Sequence, residues 1–256
     1  YVDEELEARY RGVSRVKLYV EDSPEGRSRL AAFTDGTGLE PECRVVADED
    51  WAENWKQYYK PIEIGEKLLI LPRWEPIPEN PGRLILRLDP GLAFGTGGHA
   101  TTRMCLEALE KYAGPEKFVL DLGCGSGILG IGALVLGCAG CDVDPKSPES
   151  AAENAALNGI RESIYKMYTG DIIADSGLRA ELGAGYDIVL ANIASDVIIP
   201  LAKHVPGFMS PSGVFITSGI IDGREAEVAL ALEAAGFVIC EHKHEAEWHA
   251  FVCKLK

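Results

Sequence analysis

Phe118-Val119-Leu120-Asp121-Leu122-Gly123-Cys124-Gly125-Ser126-Gly127 decides how the chain folds. A short apolar run enters a turn with glycine at every second position. An apolar segment, Ile128 to Leu136, leaves it. A second short strand, Ala139-Gly140-Cys141, ends at Asp142-Val143-Asp144. The order is strand, glycine turn, helix, strand, acid. Gly123, Gly125 and Gly127 put no Cβ where a chain turns sharply and a ligand can approach its backbone. An acid at the tip of the second strand is placed to accept hydrogen bonds from ribose hydroxyls.

The glycine spacing is G-x-G-x-G, without the third glycine position of the dinucleotide fingerprint. It resembles the nucleotide motif of the class I S-adenosylmethionine methyltransferases, in which D/E-x-G-x-G-x-G closes the first strand. A NAD-type site and a tight turn with no ligand are the other two readings.

Strand and helix signals alternate outward from this unit. Pro145 to Asn158 reads as a helix, and Ile164 to Tyr168 as a third strand leading to Gly170-Asp171. Tyr186 to Ile193 is a near-continuous apolar run of the kind buried on both faces. Asp196 to Phe208 is a helix, Gly213 to Ile220 a strand and Gly223 to Ala235 a helix. Phe237 to His244 and His249 to Leu255 close the chain as a hairpin. The expected fold is α/β, a doubly wound, Rossmann-like sheet with an antiparallel final strand, and a small N-terminal α+β lobe beside it.

That lobe is read over residues 1–75, a linker over 76–83 and the large domain over 84–256. In the lobe, Val13 to Glu21 and Cys43 to Ala47 are strand candidates. Pro24 to Phe33 is a helix capped by Ser23, with Asp35-Gly36-Thr37-Gly38 as a turn after it. A short helix starts at Asp48, and Gly65 to Pro72 is a strand. The linker reading rests on Pro76, Pro78, Pro81 and Gly82. Trp51, Trp55, Tyr58, Tyr59 and Trp74 lie close together before it, either packing lobe against linker or facing a substrate.

The chain has 256 residues and is 46% hydrophobic, enough for one large core and a small one. No apolar run approaches the roughly 18 residues of a membrane span. The N-terminus is acidic, has no signal-peptide pattern and lacks an initiator Met, so the chain is expected to start inside a longer product. Seven cysteines, an odd number, are scattered through apolar stretches, as in a reduced, cytoplasmic compartment. The Cys138-Ala139-Gly140-Cys141 spacing has no partner pair, and packing is its expected role. The net charge of −15 is spread over the chain. Residues 1–80 carry 18 acids against 11 bases, and residues 81–256 carry 22 against 14. No basic stripe marks a nucleic-acid site. A basic macromolecule or a small molecule is the expected substrate, although charge of this sign also serves solubility.

Between the strand Leu84 to Leu88 and a helix ending near Ala113 runs Asp89-Pro90-Gly91-Leu92-Ala93-Phe94-Gly95-Thr96-Gly97-Gly98-His99-Ala100-Thr101-Thr102. Its glycines and prolines make it an ordered loop, with Thr101 or Thr102 as the helix cap. It resembles the D-P-G-x-A-F-G-T-G-x-H-x-T-T signature of the bacterial ribosomal protein L11 methyltransferases, the PrmA type. The spaced tryptophans, Lys-Pro-Ile and Leu-Pro-x-Trp between Trp51 and Trp74 carry the same resemblance, as does Ala191-Asn192-Ile193. Gly98 and Ala100 depart from the usual Thr and Pro or Glu. The turn from Gly137 to Asp142 is about three residues shorter than in the family, and an earlier strand and helix of the N-terminal lobe are missing.

The resemblance implies that Thr102, Gly123, Asp142 and Asn192 contact S-adenosylmethionine. Thr102 and Asn192 suit its amino-acid end, since both offer neutral hydrogen bonds. Asp142 suits the ribose, and the backbone of the glycine turn, Gly123 and Gly125, lies under the cofactor. In class I enzymes an acid at the position of Asp171 bonds the adenine amino group. Capping of the following helix is the equal alternative here. Asn192 is followed by Ile193-Ala194 rather than Pro-Pro-aromatic, which argues against a planar amide or adenine acceptor.

The resemblance leaves a lysine ε-amino or N-terminal α-amino group of ribosomal protein L11 as the acceptor. An amine must be neutral to attack a sulfonium methyl, and neutralising a lysine at pH 7 costs about 4.6 kcal/mol. Desolvation beside a cation lowers that cost and orientation contributes further. No dedicated base is therefore expected. His99 is the candidate if there is one, with ordering of its loop as the preferred role. The competing readings are a small-molecule methyltransferase on the same fold and a non-catalytic cofactor-binding interaction protein.

Overall fold

The computed structural model describes residues 20–21, 23–37, 59–90, 95, 97–144 and 148–256, without the side chains of Thr37, Asp142 and Asp144. The chain divides into two compact units, 1–58 and 59–256. In the first, helix α1 (Pro24–Thr37) is capped by Ser23, whose Oγ accepts the Gly26 N–H at 3.0 Å. The helix runs through the Asp35-Gly36-Thr37 turn expected from sequence. The strand and helix expectations at 13–19, 43–47 and 48–55 lie outside the described residues.

The second unit starts at Tyr59, so its boundary falls before residues 60–75 rather than after them. Strands β1 (Ile62–Ile64), β2 (Leu68–Pro72) and β3 (Leu84–Leu88) form one small sheet. β1 and β2 make an antiparallel hairpin, and β2 pairs in parallel with β3. The Pro-rich 73–83 segment is thus a crossover between two strands of one sheet. Composition marks an irregular segment, but it does not say whether that segment joins two bodies or two strands. Ile64, Leu68, Ile70, Leu86 and Leu88 are buried in the same core as the large domain.

Helices α2 (Ala100–Tyr112), α3 (Ile128–Val135) and α4 (Pro148–Leu157) follow, together with strands β4 (Phe118–Leu122) and β5 (Gly140–Asp144). Then come β6 (Tyr165–Met167), α5 (Ser176–Leu182), β7 (Tyr186–Asn192) and α6 (Ser195–Ala202). β8 (Met209–Ile221), α7 (Glu225–Ala234), β9 (Phe237–Glu245) and β10 (Trp248–Leu255) complete the chain. The sheet order is β6-β5-β4-β7-β8-β10-β9. β4 to β8 are parallel, and β10 is antiparallel to both its neighbours.

The alternation of strand side chains assigns the two faces. Val119, Ile188, Leu190, Val214 and Ile216 pack with residues of α2, α3 and α4. Leu120, Val189, Ala191 and Phe215 pack with residues of α5, α6 and α7. Helices on both faces make the sheet doubly wound. The trimmed turn before β5 closes cleanly. Gly137 takes φ +96°, and the Cys138 N–H donates to the Ala133 carbonyl at 3.0 Å. Cys138 and Cys141 are buried packing residues, with the Cys141 Sγ filling the space where Gly130 has no Cβ. No helix among the described residues is long and apolar enough to cross a membrane.

One buried carboxylate fixes the small sheet to α2. Glu110 accepts the N–H groups of Glu66, Lys67 and Leu68 at 3.0, 3.0 and 3.2 Å. Glu110→Ala removes all three acceptors and is expected to lower stability by about 3 kcal/mol. Urea unfolding measures it, and a loss below about 1 kcal/mol would show that water replaces the carboxylate.

Candidate functional site

The parallel strands deliver their carboxyl ends to one edge of the sheet, where α/β folds bind ligands. β4 runs into Gly123, β5 ends at Asp144, β6 leads to Asp171 and β7 ends at Asn192.

Gly123, Gly125 and Gly127 all have positive φ, +71°, +57° and +81°. A Cβ at Gly123 would lie 2.7 Å from Ile193 Cγ2, and one at Gly127 would lie 2.5 Å from the Tyr165 hydroxyl. Two of the three glycines are therefore required by crowding as well as by backbone conformation. Asp121, before the turn, is buried, and its Oδ2 accepts the Gly130 N–H at 2.9 Å in the first turn of α3. The acid of the motif is thus an anchor for the helix.

The glycine-rich loop before α2 is tied to this turn. The Ser126 hydroxyl donates to the Gly95 carbonyl at 2.7 Å. Asn154 Nδ2 donates to the Ser126 carbonyl at 3.0 Å and to the Asp89 carbonyl at 3.3 Å. Its Oδ1 accepts the Asp89 N–H at 2.7 Å. Sequence reasoning gave Ser126 and Asn154 no role. The available signal was a single asparagine between Ala151 and Ala155 on the buried face of α4.

His99, not Thr101 or Thr102, is the N-cap of α2. The helix starts earlier than expected because an imidazole nitrogen can accept as an Asn oxygen does. His99 Nδ1 accepts the Thr101 N–H at 3.4 Å and lies 2.7 Å from the Thr101 hydroxyl. The ring stands edge-on to Trp248 at 5.0 Å, and burial lowers its pKa. A neutral ring accepting at Nδ1 carries its proton on Nε2.

Thr102 is fully buried, and its Oγ1 accepts from Asn192 Nδ2 at 3.3 Å. This bond joins the first turn of α2 to the end of β7. Asn192 Oδ1 is buried with no hydrogen-bond partner among the described residues. An unfilled buried acceptor is costly, so a donor is expected to meet it. Asp142 lies on β5 opposite Leu120. Asp171 Oδ1 accepts the N–H groups of Ile173 and Ala174 at 2.8 and 3.1 Å, so it caps the turn that follows β6. Asp175, not Asp171, caps α5. Of the aromatic group read before the crossover, Tyr59 and Trp74 pack edge to face at 6.1 Å. Trp51, Trp55 and Tyr58 lie outside the described residues.

The family model described as ribosomal protein L11 methyltransferase (PrmA) matches residues 7–256. A ribosomal protein L11 methyltransferase of Pelotomaculum thermopropionicum is 39% identical over 255 residues, 96% of this chain and 80% of that relative. One of Agathobacter rectalis is 41% identical over 257 residues, 93% of this chain and 79% of that relative. The crystal structure of ribosomal protein L11 methylase from Lactobacillus delbrueckii subsp. bulgaricus superposes with a TM-score of 0.69 at 31% identity. It covers 77% of this chain and 100% of that one. A putative methyltransferase complexed with SAH, at 13% identity and a TM-score of 0.54, shares the fold. The chain belongs to the ribosomal protein L11 methyltransferase (PrmA) family.

Proposed function

We propose that this chain, an S-adenosylmethionine-dependent methyltransferase of ribosomal protein L11, modifies lysine ε-amino or N-terminal α-amino groups of that protein in the cytoplasm. The observation that carries the reading is the buried Asn192 Oδ1 beside Thr102, which has no hydrogen-bond partner among the described residues. When bound, S-adenosylmethionine supplies a methyl group activated by a sulfonium.

The residues at the sheet edge fit such a group. Asn192 Oδ1 would accept from its ammonium while Nδ2 stays on Thr102. The backbone of Gly123 and Gly125 would lie beneath it, and Asp142, on β5, would take the ribose hydroxyls. Asp171 already holds two backbone N–H groups through Oδ1, and Oδ2 remains for the adenine amino group. His99 acts as a positioning residue. Its Nδ1 lone pair is used at the α2 cap, so taking a proton there would release the helix start. The acceptor amine therefore loses its proton to water, after desolvation near the cation has lowered its pKa.

The substrate is read as a basic protein met by an acidic enzyme of net charge −15, without nucleic acid or membrane as partner. Purified L11 incubated with methyl-labelled cofactor is expected to take label on amino groups. Label on L11 whose amines have all been blocked would overturn the acceptor assignment. Asn192→Ala is expected to weaken cofactor binding at least about tenfold, as loss of a bond to a charged donor does. Asp142→Ala is expected to cost about 1–3 kcal/mol. Calorimetry on folded variants checks both, and unchanged affinity would remove either residue from the site.

A further inference from the structure

Four of the chain's five histidines are away from the loop before α2, and three of them meet on the last hairpin. His244 on β9 and His249 on β10 stack at 4.3 Å, with 12° between their rings. Both direct Nε2 at one oxygen, Oδ1 of Asp222 in the turn after β8, at 3.0 and 2.8 Å. Glu225, at the start of α7, brings Oε2 to 3.8 Å from His249 Nε2. That Oε2 is buried and has no hydrogen-bond partner among the described residues.

Two imidazole nitrogens, one carboxylate oxygen and a second carboxylate oxygen without a hydrogen-bond partner among the described residues are a donor set suited to a borderline-soft divalent cation. The ligand atoms of Asp222, His244 and His249 lie within 4.8 Å of one another, and among the described residues no other group of three shares this property. His242 Nε2 stands 2.8 Å from His249 Nδ1. With a cation on His249 Nε2, the ring proton sits on Nδ1 and is donated to His242. This is the outer hydrogen bond that metal-binding histidines normally make.

We propose that Asp222, His244, His249 and Glu225 bind a divalent transition-metal cation of the zinc class, riveting the β9–β10 hairpin to the turn between β8 and α7. The site is separate from the glycine turn, but it adjoins the loop that the cofactor site uses. Trp248, next to His249, packs on the His99 ring, and Glu245 pairs with Arg103 in the first turn of α2. A bound cation would hold this hairpin end against the start of α2.

The test uses the full chain after treatment with a chelator and its removal. Titration with Zn2+ is expected to show one equivalent bound per chain and a raised melting temperature. Co2+ is expected to give ligand-field bands of a nitrogen–oxygen site. His244→Gln, at a half-exposed position, is expected to weaken binding at least about tenfold, with Glu225→Gln as a second variant at another ligand. His204→Gln, outside the cluster, is expected to leave it unchanged. A cobalt–thiolate charge-transfer band would place the metal on cysteines and overturn the proposal. So would equal affinity in the His244 and Glu225 variants, or no binding up to about 1 mM.

Discussion

A chain lacking residues 1–58 is expected to keep cofactor affinity within a few-fold while its kcat/KM on intact L11 falls about 100-fold or more. Thr102, Asn192, Asp142 and the three glycines all lie in the 59–256 unit, which has its own core. A docking module linked to a site raises the local acceptor concentration to the millimolar range, and its removal returns the acceptor to its bulk value. Slow methylation of a short lysine peptide at high concentration should survive. The contrast is a chain lacking residues 1–75. That cut removes β1 and β2, and with them Ile64, Leu68 and Ile70, all fully buried. Lost core side chains of this size cost about 2–5 kcal/mol each, so this shorter chain is expected to unfold. Circular dichroism on both chains precedes the assay. A folded 59–256 chain that methylates intact L11 at the full rate would show that the first unit does not recognise the substrate.

Gly219→Ala is expected to damage the site from behind. Gly219 has φ +91°, and a Cβ there would lie 2.2 Å from the carbonyl oxygen of Ile193. That neighbour is backbone, directly after Asn192, and it is held by the Ile193 N–H donating to the Ser218 carbonyl at 3.1 Å. The register of β10 on β8 also slips here, so Gly219 sits at a bulge that turns β8 past the end of β7. Clash and strain together are expected to cost about 3 kcal/mol. In a chain of this size that lowers Tm by about 6–12 °C. Cofactor affinity should fall with it, because the Asn192 amide moves. Gly223→Ala is the control. It has φ +83° but nothing within 4 Å of a Cβ, so only strain is felt. Equal, mild effects of the two substitutions would show that the Ile193 peptide shifts without consequence.

The alternation of strands and helices was legible because each buried strand is a short apolar run with a glycine or polar break at its end. Tyr186–Asn192 and Phe118–Leu122 match their sequence reading almost to the residue. The site residues were visible as types at strand ends. Their coupling was not, because the bond between Thr102 and Asn192 joins positions 90 residues apart. The helix cap was misread for a local reason, since His99 competes with two threonines that are the commoner caps. The domain boundary was misplaced because proline content carries no information on strand pairing. The metal-ligand group was invisible for the same reason as the Thr102–Asn192 bond. Asp222 and Glu225 precede the hairpin histidines by about twenty residues, and only the sheet order brings them together.

β3 is the outer strand of the small sheet, and its outward backbone groups would otherwise lie open. Asn158, in the turn directly after α4, donates to the Arg87 carbonyl at 2.7 Å and accepts the Arg87 N–H at 2.8 Å. Asn154 treats Asp89 in the same way one pleat further on. Two amide side chains thus imitate a neighbouring strand. An unguarded edge of this kind is a template on which other chains can pair and aggregate. The two asparagines make β3 sterile as a template, so the chain can carry a short, apolar, mixed sheet at its border without offering that edge to another chain.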